Sequence, residues 1–433
     1  MRLAGNQGRL TPALRPTHAV PPASRTIIVA GAGIGGLTAA IALADRGFRV
    51  VVLEQATVLE ATGAGIQLSP NAMRVLIGLG AAPRLEAVTV TPEAVRVRRA
   101  ATGSEIVRLP VGDSELRYGA PYRVIHRGDL QAVLLALARQ RPDIALVLGM
   151  RVDDYAVHRN GVTVACSGAD GTSEHSGLAL IGADGLWSRV RARLIGDAPP
   201  RPAYRTAWRA LLPADAVEPA LRAPIVDLWL GPGAHLVHYP VRGGRLINVV
   251  AIAHDREAVT GWSAPGDGAA LLTRLPARSW APAARDLLAR PEQWLRWALY
   301  DRPPLARWSR GPVTLLGDAA HPMLPFLAQG AAMAIEDAAE LADALALRPG
   351  DPVAALADYE TRRRRRTAAV RAGARRNDRG YHLGGPAAAV RDLGMRMLGG
   401  DRLLARHDWI YGWHPRGGDV PVPAPADATA VRP

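Results

Sequence analysis

A cluster of glycines stands between two apolar segments near the start of the chain. Gly31, Gly33 and Gly36 satisfy the pattern GxGxxG within the run GAGIGG. In this pattern the first glycine permits a tight turn, the second lets the backbone approach a pyrophosphate, and the third lets the following helix pack on its strand. The N-terminus of such a helix presents free N–H groups to phosphates. The spacing therefore predicts a dinucleotide site.

An acidic residue stands where a ribose would need one. Glu54 closes the second apolar run, which spans residues 50–53. A carboxylate at this place accepts hydrogen bonds from ribose hydroxyls. It would repel a 2′-phosphate, because two anions would face each other. These residues alone are compatible with FAD and with NAD.

Two further motifs could contribute to a nucleotide site. The run IGADG at 181–185 follows an apolar strand and precedes a helix that carries Ser188 and Arg189. The run GDAAHP at 317–322 follows another apolar strand and leads through Gln329 into a helix. Either motif alone is compatible with an ordinary strand–turn–helix junction.

The hydrophobic pattern indicates which elements position these motifs. Residues 27–53 predict a strand, a helix and a second strand, which is a βαβ unit. Turn residues at 102–103 and 160–161 predict hairpins, and residues 201–260 predict an antiparallel sheet. Helices are predicted over 330–346 and 352–378. Because the motifs lie on both sides of the sheet-rich middle, we expect a discontinuous nucleotide domain with a second domain inserted.

Composition excludes several kinds of chemistry. The chain has 433 residues and a formal net charge of +14, and every basic residue is an arginine. The absence of lysine excludes a lysine Schiff base and the GxxxxGK[ST] phosphate loop. The single cysteine, Cys166, cannot form an intramolecular disulfide or a multi-cysteine metal site. One cysteine is compatible with a reducing compartment, so we expect a cytoplasmic protein.

The charge does not by itself indicate nucleic-acid binding. The densest basic run, Arg362 to Arg366, lies in a predicted helix, where a solvated face is the default expectation. No recognition module accompanies it, so we expect no nucleic-acid partner. No uninterrupted apolar run is long enough for a membrane span. The polar, Pro-rich ends at 1–25 and 417–433 are expected to be disordered.

Together, the three motifs resemble those of the single-component FAD-dependent aromatic hydroxylases, which have the para-hydroxybenzoate-hydroxylase-like fold. Within that group the sequence is similar to the salicylate and 6-hydroxynicotinate hydroxylases. The stretches that carry the resemblance are GAGIGG at 31–36, IGADGLWSRVR at 181–191, LGDAAHPMLPFLAQGAAMAIEDA at 316–338, GAGIQLSPNA at 63–72, HRGDLQAVL at 126–134 and HYPVRGG at 238–244.

The resemblance implies an α/β fold with a Rossmann-like FAD-binding domain, an inserted, mostly antiparallel β-sheet substrate domain and C-terminal helices. The expected boundaries are 26–90, 121–200 and 310–346 for the FAD-binding domain, 91–120 and 201–309 for the substrate domain, and 347–416 for the helical region. A monomer or a homodimer is expected.

The resemblance also assigns residues to FAD. Gly31, Gly33, Ile34, Gly35 and Gly36 would hold the pyrophosphate, and Glu54 the adenosine ribose. Further contacts would come from the following residues: Arg127 to the flavin nucleotide, backbone of Val152 to adenine, Asp184 to FAD and NAD(P)H, Asp318 to ribityl hydroxyls, and Pro325, Gly330 and Ala331 to the flavin ring. A helix beginning at Gly330 would direct its positive end toward a ring that becomes anionic on reduction.

The family's chemistry needs few protein groups. The resemblance implies that NAD(P)H, with NADH preferred, reduces FAD, that O₂ adds at the flavin C4a carbon, and that the hydroperoxide hydroxylates an electron-rich ring. The cofactor performs the difficult step. The protein would orient an aromatic substrate, exclude water and deprotonate a phenol.

Substrate contacts are expected from the inserted sheet. An aromatic acid needs an arginine for its carboxylate and a histidine or tyrosine near its hydroxyl. Arg205, where some relatives have a histidine, is the candidate anchor; His238 is the candidate polar partner, and Tyr239 a wall. Pro325 stands where the 3-hydroxybenzoate 6-hydroxylases have a glutamine, which argues against that specificity.

Two alternatives remain open at this point. The same flavin chemistry could act on a non-phenolic substrate, for example in an epoxidation. The chain could also be a non-catalytic FAD-binding sensor. A yellow protein whose NADH oxidation is accelerated by aromatic acids would distinguish the leading hypothesis from both.

Overall fold

The structure is a computed structural model that describes residues 25–59, 63–196, 198–255 and 264–415. The disorder expected for residues 1–25 and 417–433 therefore concerns residues outside these ranges, apart from Arg25. Within the described residues, no helix combines the length and the apolar character that a membrane crossing requires.

The strands of the described chain follow one another in this order: β1 Thr26–Ala30, β2 Arg49–Glu54, β3 Gly65–Leu68, β4 Ala94–Arg99, β5 Glu105–Leu109, β6 Arg123–His126, β7 Ile144–Leu148, β8 Arg151–His158, β9 Gly161–Gly168, β10 Gly171–Gly177, β11 Ala179–Gly182, β12 Arg201–Pro213, β13 Ile225–Gly231, β14 Ala234–Val241, β15 Leu246–His254, β16 Ala264–Gly266, β17 Trp294–Asp301 and β18 Val313–Leu315.

The α-helices are α1 Ile34–Ala44, α2 Pro70–Gly78, α3 Ala82–Glu86, α4 Ser114–Tyr118, α5 Arg127–Arg139, α6 Arg189–Ile195, α7 Gly268–Arg274, α8 Pro282–Ala289, α9 Gly330–Leu347, α10 Pro352–Tyr381, α11 Gly385–Ala405 and α12 Asp408–Tyr411. Short 3₁₀ turns include Gly317–Ala319 and Pro325–Leu327.

A parallel sheet lies at the centre of the nucleotide-binding half. Its strand order is β18-β11-β1-β2-β7, and every neighbouring pair is parallel. Strand β1 has a continuous run of Ile, Ile and Val whose side chains are fully buried. Such runs are typical of strands covered on both faces. The carboxyl ends of β1, β11 and β18 carry the three motifs, so the sheet brings them to one edge.

A larger sheet forms the second half of the molecule. Its order is β16-β17-β12-β15-β14-β13-β4-β5. Most pairs are antiparallel, whereas β13 and β4 are parallel. One face packs on α7 and α8 through a cluster that includes Trp208, Trp229 and Trp280. The other face is directed toward the parallel-sheet half, and we call it the cleft face.

The cleft face meets the other half at close contacts. Gly65 in β3 donates its N–H to Oδ1 of Asn248 in β15 at 2.7 Å. A Cβ on Gly65 would lie 2.7 Å from Cε2 of Tyr239, so only glycine permits this approach. Phe326 packs with Ala207 and Ile252 in one buried cluster. The cleft face therefore lies against both β3 and the turn that precedes α9.

Several local predictions are confirmed. The βαβ unit is present as β1, α1 and β2, and hairpins form at 102–103 and 160–161. The helices predicted over 330–346 and 352–378 are α9 and α10. The mostly antiparallel sheet predicted over 201–260 is present and is extended by strands on both sides.

One local prediction is wrong in part. Within the run Arg362 to Arg366, which was expected to be a solvated face, Arg363 and Arg366 are buried. They lie one turn apart on α10, on the side that packs against α9, where two carboxylates face them. Tertiary pairing with acidic residues therefore overrides the expectation from local charge density.

Candidate functional site: a nucleotide cradle beside a sheet face

In the glycine loop, Gly31 and Gly36 pack closely against backbone atoms, whereas Gly33 faces open space. Gly31 has φ +104°, and a Cβ there would lie 2.6 Å from the carbonyl oxygen of Ala183. A Cβ on Gly36 would lie 1.9 Å from the carbonyl oxygen of Gly31, whereas one on Gly33 would meet nothing within 4 Å. Gly33 caps α1, so this open space lies at a helix N-terminus. A phosphate group fits there.

Glu54 braces this loop from the end of β2. Its Oε2 accepts the N–H of Ala32 at 2.7 Å, and its Oε1 accepts that of Ala56 at 2.8 Å. Each carboxylate oxygen has a second lone pair. Glu54 can therefore hold the loop and still accept a ribose hydroxyl. The backbone N–H of Met150 donates to the carbonyl of Glu54 at 2.8 Å, which places the segment leading to Val152 beside it. The Val152 side chain itself lies in the core.

The three motifs touch one another. A Cβ on Gly35 would lie 2.6 Å from Cδ2 of Leu316 and 3.1 Å from Cβ of Ala334. The backbone N–H of Leu316 donates to the carbonyl of Gly182 at 2.9 Å. Stretches that are distant in sequence thus form one wall, as the family resemblance implied. Ile34 is buried against the same core as the first residue of α1.

Asp318 projects from this wall without a partner. Asp318 is exposed, and its carboxylate accepts no hydrogen bond from the described residues. Desolvation by the surrounding protein raises the pKa of Asp318, and the positive charges of Arg127 and Arg191 oppose this effect. Arg127 lies at the start of α5, where burial lowers its pKa. A carboxylate and a guanidinium that lie close enough to interact suit the hydroxyls and phosphate of a nucleotide.

Asp184 is occupied by helix α6. Its Oδ1 accepts the hydroxyl of Ser188 at 2.5 Å, and its Oδ2 accepts the N–H groups of Arg189 and Val190 at 2.8 and 3.1 Å. Desolvation nevertheless raises the pKa of Asp184. The side chain therefore holds the turn that packs against Gly31.

The N-terminus of α9 is a second place with free donors. Within the described residues, the N–H groups of Gly330 and Ala331 have no protein acceptor. Ala328 has φ +51° just before them, and Pro325 opens the preceding 3₁₀ turn. The side chain of Gln329 donates to the hydroxyl of Ser69 at 2.9 Å, which ties this N-terminus to α2.

A buried ionic cluster supports the same N-terminus from behind. Asp337 accepts the N–H of Gly317 at 3.0 Å, lies 2.5 Å from Nε2 of His321, and accepts Nε of Arg363 at 2.6 Å. Glu336 accepts Nε of Arg366 at 2.7 Å. Although burial alone would raise it, the facing His321 and Arg363 lower the pKa of Asp337 to about 2. The cluster fixes the loop that carries Asp318.

We call the open site around Gly33, Asp318 and Gly330 the cradle. Its features fit FAD. A helix N-terminus stands at Gly33 for a pyrophosphate, an unpaired carboxylate stands at Asp318 for polyol hydroxyls, and a second helix N-terminus stands at Gly330 for a ring that accepts negative charge. These features are those of a flavin nucleotide-binding fold.

The cleft face brings an unpaired arginine to the cradle. Arg209, in β12, forms no hydrogen bond and no ion pair with the described residues, although its guanidinium lies 4.2 Å from the ring centroid of Trp297. Burial lowers the pKa of Arg209 to about 10, and the positive charge of Arg127 acts in the same direction. Tyr239 lies close enough to favour the charged guanidinium. Arg209 was not identified from the sequence.

The three sequence-based substrate residues are in different environments. Tyr239 is on the cleft face, beside Gly65, where burial raises its pKa. Arg205 is on the same face, but its Nε donates to Asp378 at 3.2 Å, so it already has an anionic partner. His238 faces the opposite side, where its Nε2 lies 3.6 Å from Asp227 and where burial lowers its pKa to about 4. Its register therefore keeps it from the cleft.

His235 takes the position on the cleft face that His238 cannot reach. It pairs across the strands with Ile252 and packs edge-on against Phe326 with 5.5 Å between the ring centroids. Its Nδ1 lies 2.9 Å from Nε2 of His382, and this is the hydrogen-bonding contact of the ring within the described residues. The alternation of side chains along a strand is the sequence signal that could have identified it.

Comparison with known proteins identifies the family. The family model described as "FAD binding domain" matches residues 24–374, and the chain belongs to that family. It is 38% identical over 394 residues to a 3-hydroxybenzoate 6-hydroxylase from Polaromonas naphthalenivorans (strain CJ2), with 91% of this chain and 97% of the relative covered. It is 42% identical over 388 residues to a 3-amino-4-hydroxybenzoate 2-monooxygenase from Streptomyces cremeus, with 89% and 94% covered.

Solved structures agree on the fold. A structure titled as a salicylate hydroxylase substrate complex superimposes with a TM-score of 0.75 at 26% identity, covering 90% of this chain and 95% of the other. The protein is thus an FAD-dependent aromatic hydroxylase of the monooxygenase class, as the motif resemblance implied.

Proposed function

We propose that the protein hydroxylates a phenolic carboxylic acid held between the cleft face and the FAD cradle. The observation that carries the proposal is Arg209, a cation that lacks an anionic partner within the described residues. An unpaired guanidinium in a confined site costs desolvation energy. A substrate carboxylate would remove that cost through paired hydrogen bonds. The relatives named for hydroxybenzoates and aminohydroxybenzoates support this class of substrate.

Arg209 would fix one end of the ring. Tyr239, which lies on the same face, supplies a neighbouring hydroxyl, and Nδ2 of Asn248 is buried with no partner there. These groups can accept or donate hydrogen bonds at the carboxylate end. Trp297 borders the guanidinium and limits where an aromatic ring can lie. The site thereby selects a planar anion and excludes water from it.

His235 would serve the hydroxyl end. Burial, together with the neighbouring His382, lowers the pKa of His235 well below its ordinary value, so the ring is neutral and its Nε2 can accept a hydrogen bond from a phenol. A phenol that loses its proton becomes a more electron-rich ring. Bound in the cradle, FAD would supply the redox chemistry, namely acceptance of hydride from NAD(P)H and activation of O₂. The protein's own task is to hold the carboxylate end at Arg209 and the phenolic hydroxyl at Nε2 of His235.

We also propose the domain organisation, the reductant, the location and the oligomeric state. Residues 26–90, 121–200 and 310–346 would form the FAD-binding domain, and 91–120 with 201–309 the substrate domain. NADH would be the preferred reductant, visiting the enzyme only transiently. A cytoplasmic location and a monomer or homodimer complete the proposal.

The test is a substrate panel with matched esters. FAD-loaded protein is given NADH, O₂ and each of salicylate, 3-hydroxybenzoate and 3-amino-4-hydroxybenzoate, or the methyl ester of each. We expect at least one acid to accelerate NADH oxidation and to gain one oxygen atom by mass, after uncoupled peroxide is subtracted. Its ester should react far more slowly. Equal rates for acid and ester, or FAD binding without any oxygen-consuming activity, would overturn the proposal.

A further inference from the structure

A separate cavity lies between α10 and the loops at 304–308 and 320–321, and we call it the α10 cavity. Its volume is about 340 Å³, which lies in the range of pockets that hold small molecules. None of the residues that line it belongs to the cleft face or to the open features of the cradle. The α10 cavity is thus distinct from the cradle and from the proposed substrate site.

The buried part of the lining is aromatic and apolar. Trp308 and Ala320 are each 2% exposed, and His321 packs on Trp308 with 5.2 Å between the ring centroids. Pro304 and Leu305 add apolar surface nearer to solvent. Side chains of this kind suit a flat apolar group, which gains by leaving water and by packing on an aromatic ring.

The α10 side of the cavity is positively charged. Arg364, Arg365 and Arg371 line it, and no aspartate or glutamate of the described chain does so. Nη1 of Arg364 lies 3.4 Å from Glu360, and Nη2 of Arg371 lies 3.2 Å from Asp301. The guanidinium of Arg365 has no hydrogen-bond or ion-pair partner within the described residues. Positive charge therefore remains available to an anion, and guanidinium groups bind carboxylates and phosphates with paired hydrogen bonds.

Two buried side chains in the lining also have unused hydrogen-bonding groups. Nε of Arg371 and Nδ1 of His321 have no partner within the described residues, although these side chains are only 5% and 2% exposed. Buried polar groups are normally paired in proteins. Their lack of partners is consistent with a ligand that brings its own oxygen atoms.

We propose that the α10 cavity is a second ligand site, for a small molecule that joins a carboxylate or a phosphate to a flat apolar group. Arg365 would bind the anionic end, and Trp308 would contact the apolar end. The proposal goes beyond the proposed function and does not depend on it, since Arg209 and His235 do not line this cavity.

The position of the cavity connects its occupant to the cradle. His321, which lines the cavity, has its Nε2 2.5 Å from Oδ2 of Asp337, and the same oxygen accepts the N–H of Gly317. Gly317 directly precedes Asp318 in the loop that faces FAD. A ligand that restrains His321 would favour the arrangement of this loop that binds FAD. FAD and the ligand should then strengthen each other's binding by the same factor.

The test measures binding by calorimetry to FAD-loaded protein that carries Arg209→Met, because an aromatic anion could also enter the cleft. The probes are benzoate, phenyl phosphate, inorganic phosphate and benzyl alcohol. Arg365→Gln removes the unpaired charge, and Ala368→Leu fills the exposed side of the cavity without changing the charge. The matched control is Arg362→Gln, one turn away on α10, whose side chain is 46% exposed and does not line the cavity.

We expect benzoate or phenyl phosphate to bind, and the tighter of the two identifies the anionic group as a carboxylate or a phosphate. Arg365→Gln and Ala368→Leu should each weaken that binding about 10-fold or more, the loss expected for a hydrogen bond to a charged group or for a filled site. Arg362→Gln should stay within about twofold of the parent. Inorganic phosphate and benzyl alcohol, which each lack one half of the proposed ligand, should bind at least about 10-fold more weakly.

The link to FAD has its own measurement. Saturating amounts of the tighter probe should lower the Kd for FAD about fivefold or more in the same protein, and this effect should disappear in Arg365→Gln. Unchanged FAD affinity would overturn the link to the loop. No binding of either aromatic anion, binding of inorganic phosphate with equal affinity, or unchanged affinity in both cavity variants would overturn the site itself. None of these results bears on hydroxylation in the cleft, which the acid and ester panel tests.

Discussion

Nε2 of His321 and Oδ2 of Asp337 lie 2.5 Å apart in the core beneath the turn that carries Asp318. The same carboxylate oxygen accepts the N–H of Gly317, whose φ is +62°. A single buried side chain thus connects α9, on which it lies, to the loop that presents the unpaired Asp318 to the cleft. The position of that loop therefore depends on an ionised Asp337.

Loss of this charge should weaken both the fold and FAD binding. In Asp337→Asn, Arg363 and His321 lose an anionic partner in a buried place, and breaking such pairs costs about 3–5 kcal/mol. Urea unfolding should report that loss, and fluorescence titration should report weaker FAD binding. The control is Asp408→Asn, whose exposed pair with Arg117 should contribute at most about 1 kcal/mol. Equal effects of the two substitutions would contradict the account.

The stability that Asp337 provides should depend on pH in a defined direction. Its folded pKa, about 2, lies below the unfolded value. The unfolded chain therefore binds this proton more readily, and the contribution is complete above the unfolded pKa and is lost as pH falls toward about 2. The unfolding free energies of wild type and Asp337→Asn should differ by a constant amount above roughly pH 5 and converge below roughly pH 4. If the difference between the two unfolding free energies stayed constant down to the lowest measurable pH, the charge of Asp337 would not be responsible for it.

Two alanine substitutions should separate cofactor binding from folding. Gly33 has φ −69° and open space around its Cβ position, so Gly33→Ala should fold with nearly wild-type stability but lose FAD affinity, because the methyl group would occupy the phosphate position. Gly36→Ala should lose stability itself, by about 1–3 kcal/mol or more, since its Cβ would overlap the carbonyl of Gly31. Thermal melts of the FAD-free proteins and FAD titrations measure the two effects. FAD binding by Gly33→Ala at wild-type affinity would refute the assignment.

The anchoring role of Arg209 can be tested by its effect on acids alone. Arg209→Met should raise KM for the preferred acid roughly 10- to 100-fold, the range expected when a hydrogen bond to a charged group is removed. Binding of the methyl ester should change little. Arg296→Met, whose guanidinium lies over Trp208 on the opposite face, is the matched control. A loss of equal size for acid and ester would indicate a general disturbance of the sheet.

Local patterns predicted the cradle well because its requirements are local. GxGxxG encodes a turn, a close approach and a helix N-terminus within six residues, and Gly31, Gly33 and Gly36 each occupy the place that the pattern assigns. Convergence of the other two motifs followed from the family resemblance. The parallel strands β1, β11 and β18 provide the physical reason, since their carboxyl ends share one edge.

The residues proposed to contact the substrate could not be predicted as well from the sequence. Adjacent residues of a strand point to opposite faces, so His238 and Tyr239 could not both face the cleft, and β14 directs His235 there instead. The choice between Arg205 and Arg209 needs tertiary information. Both are on the cleft face of β12, and only Asp378, 173 residues further along the chain, neutralises one of them.

The anchoring of the substrate by Arg209 is tested most directly by a crystal structure of the FAD-loaded protein with its preferred hydroxybenzoate bound. We predict that the substrate carboxylate lies within hydrogen-bonding distance of the Arg209 guanidinium, with the phenolic hydroxyl next to Nε2 of His235. A substrate whose carboxylate lies on Arg205, or whose ring lies away from the cleft face, would contradict it.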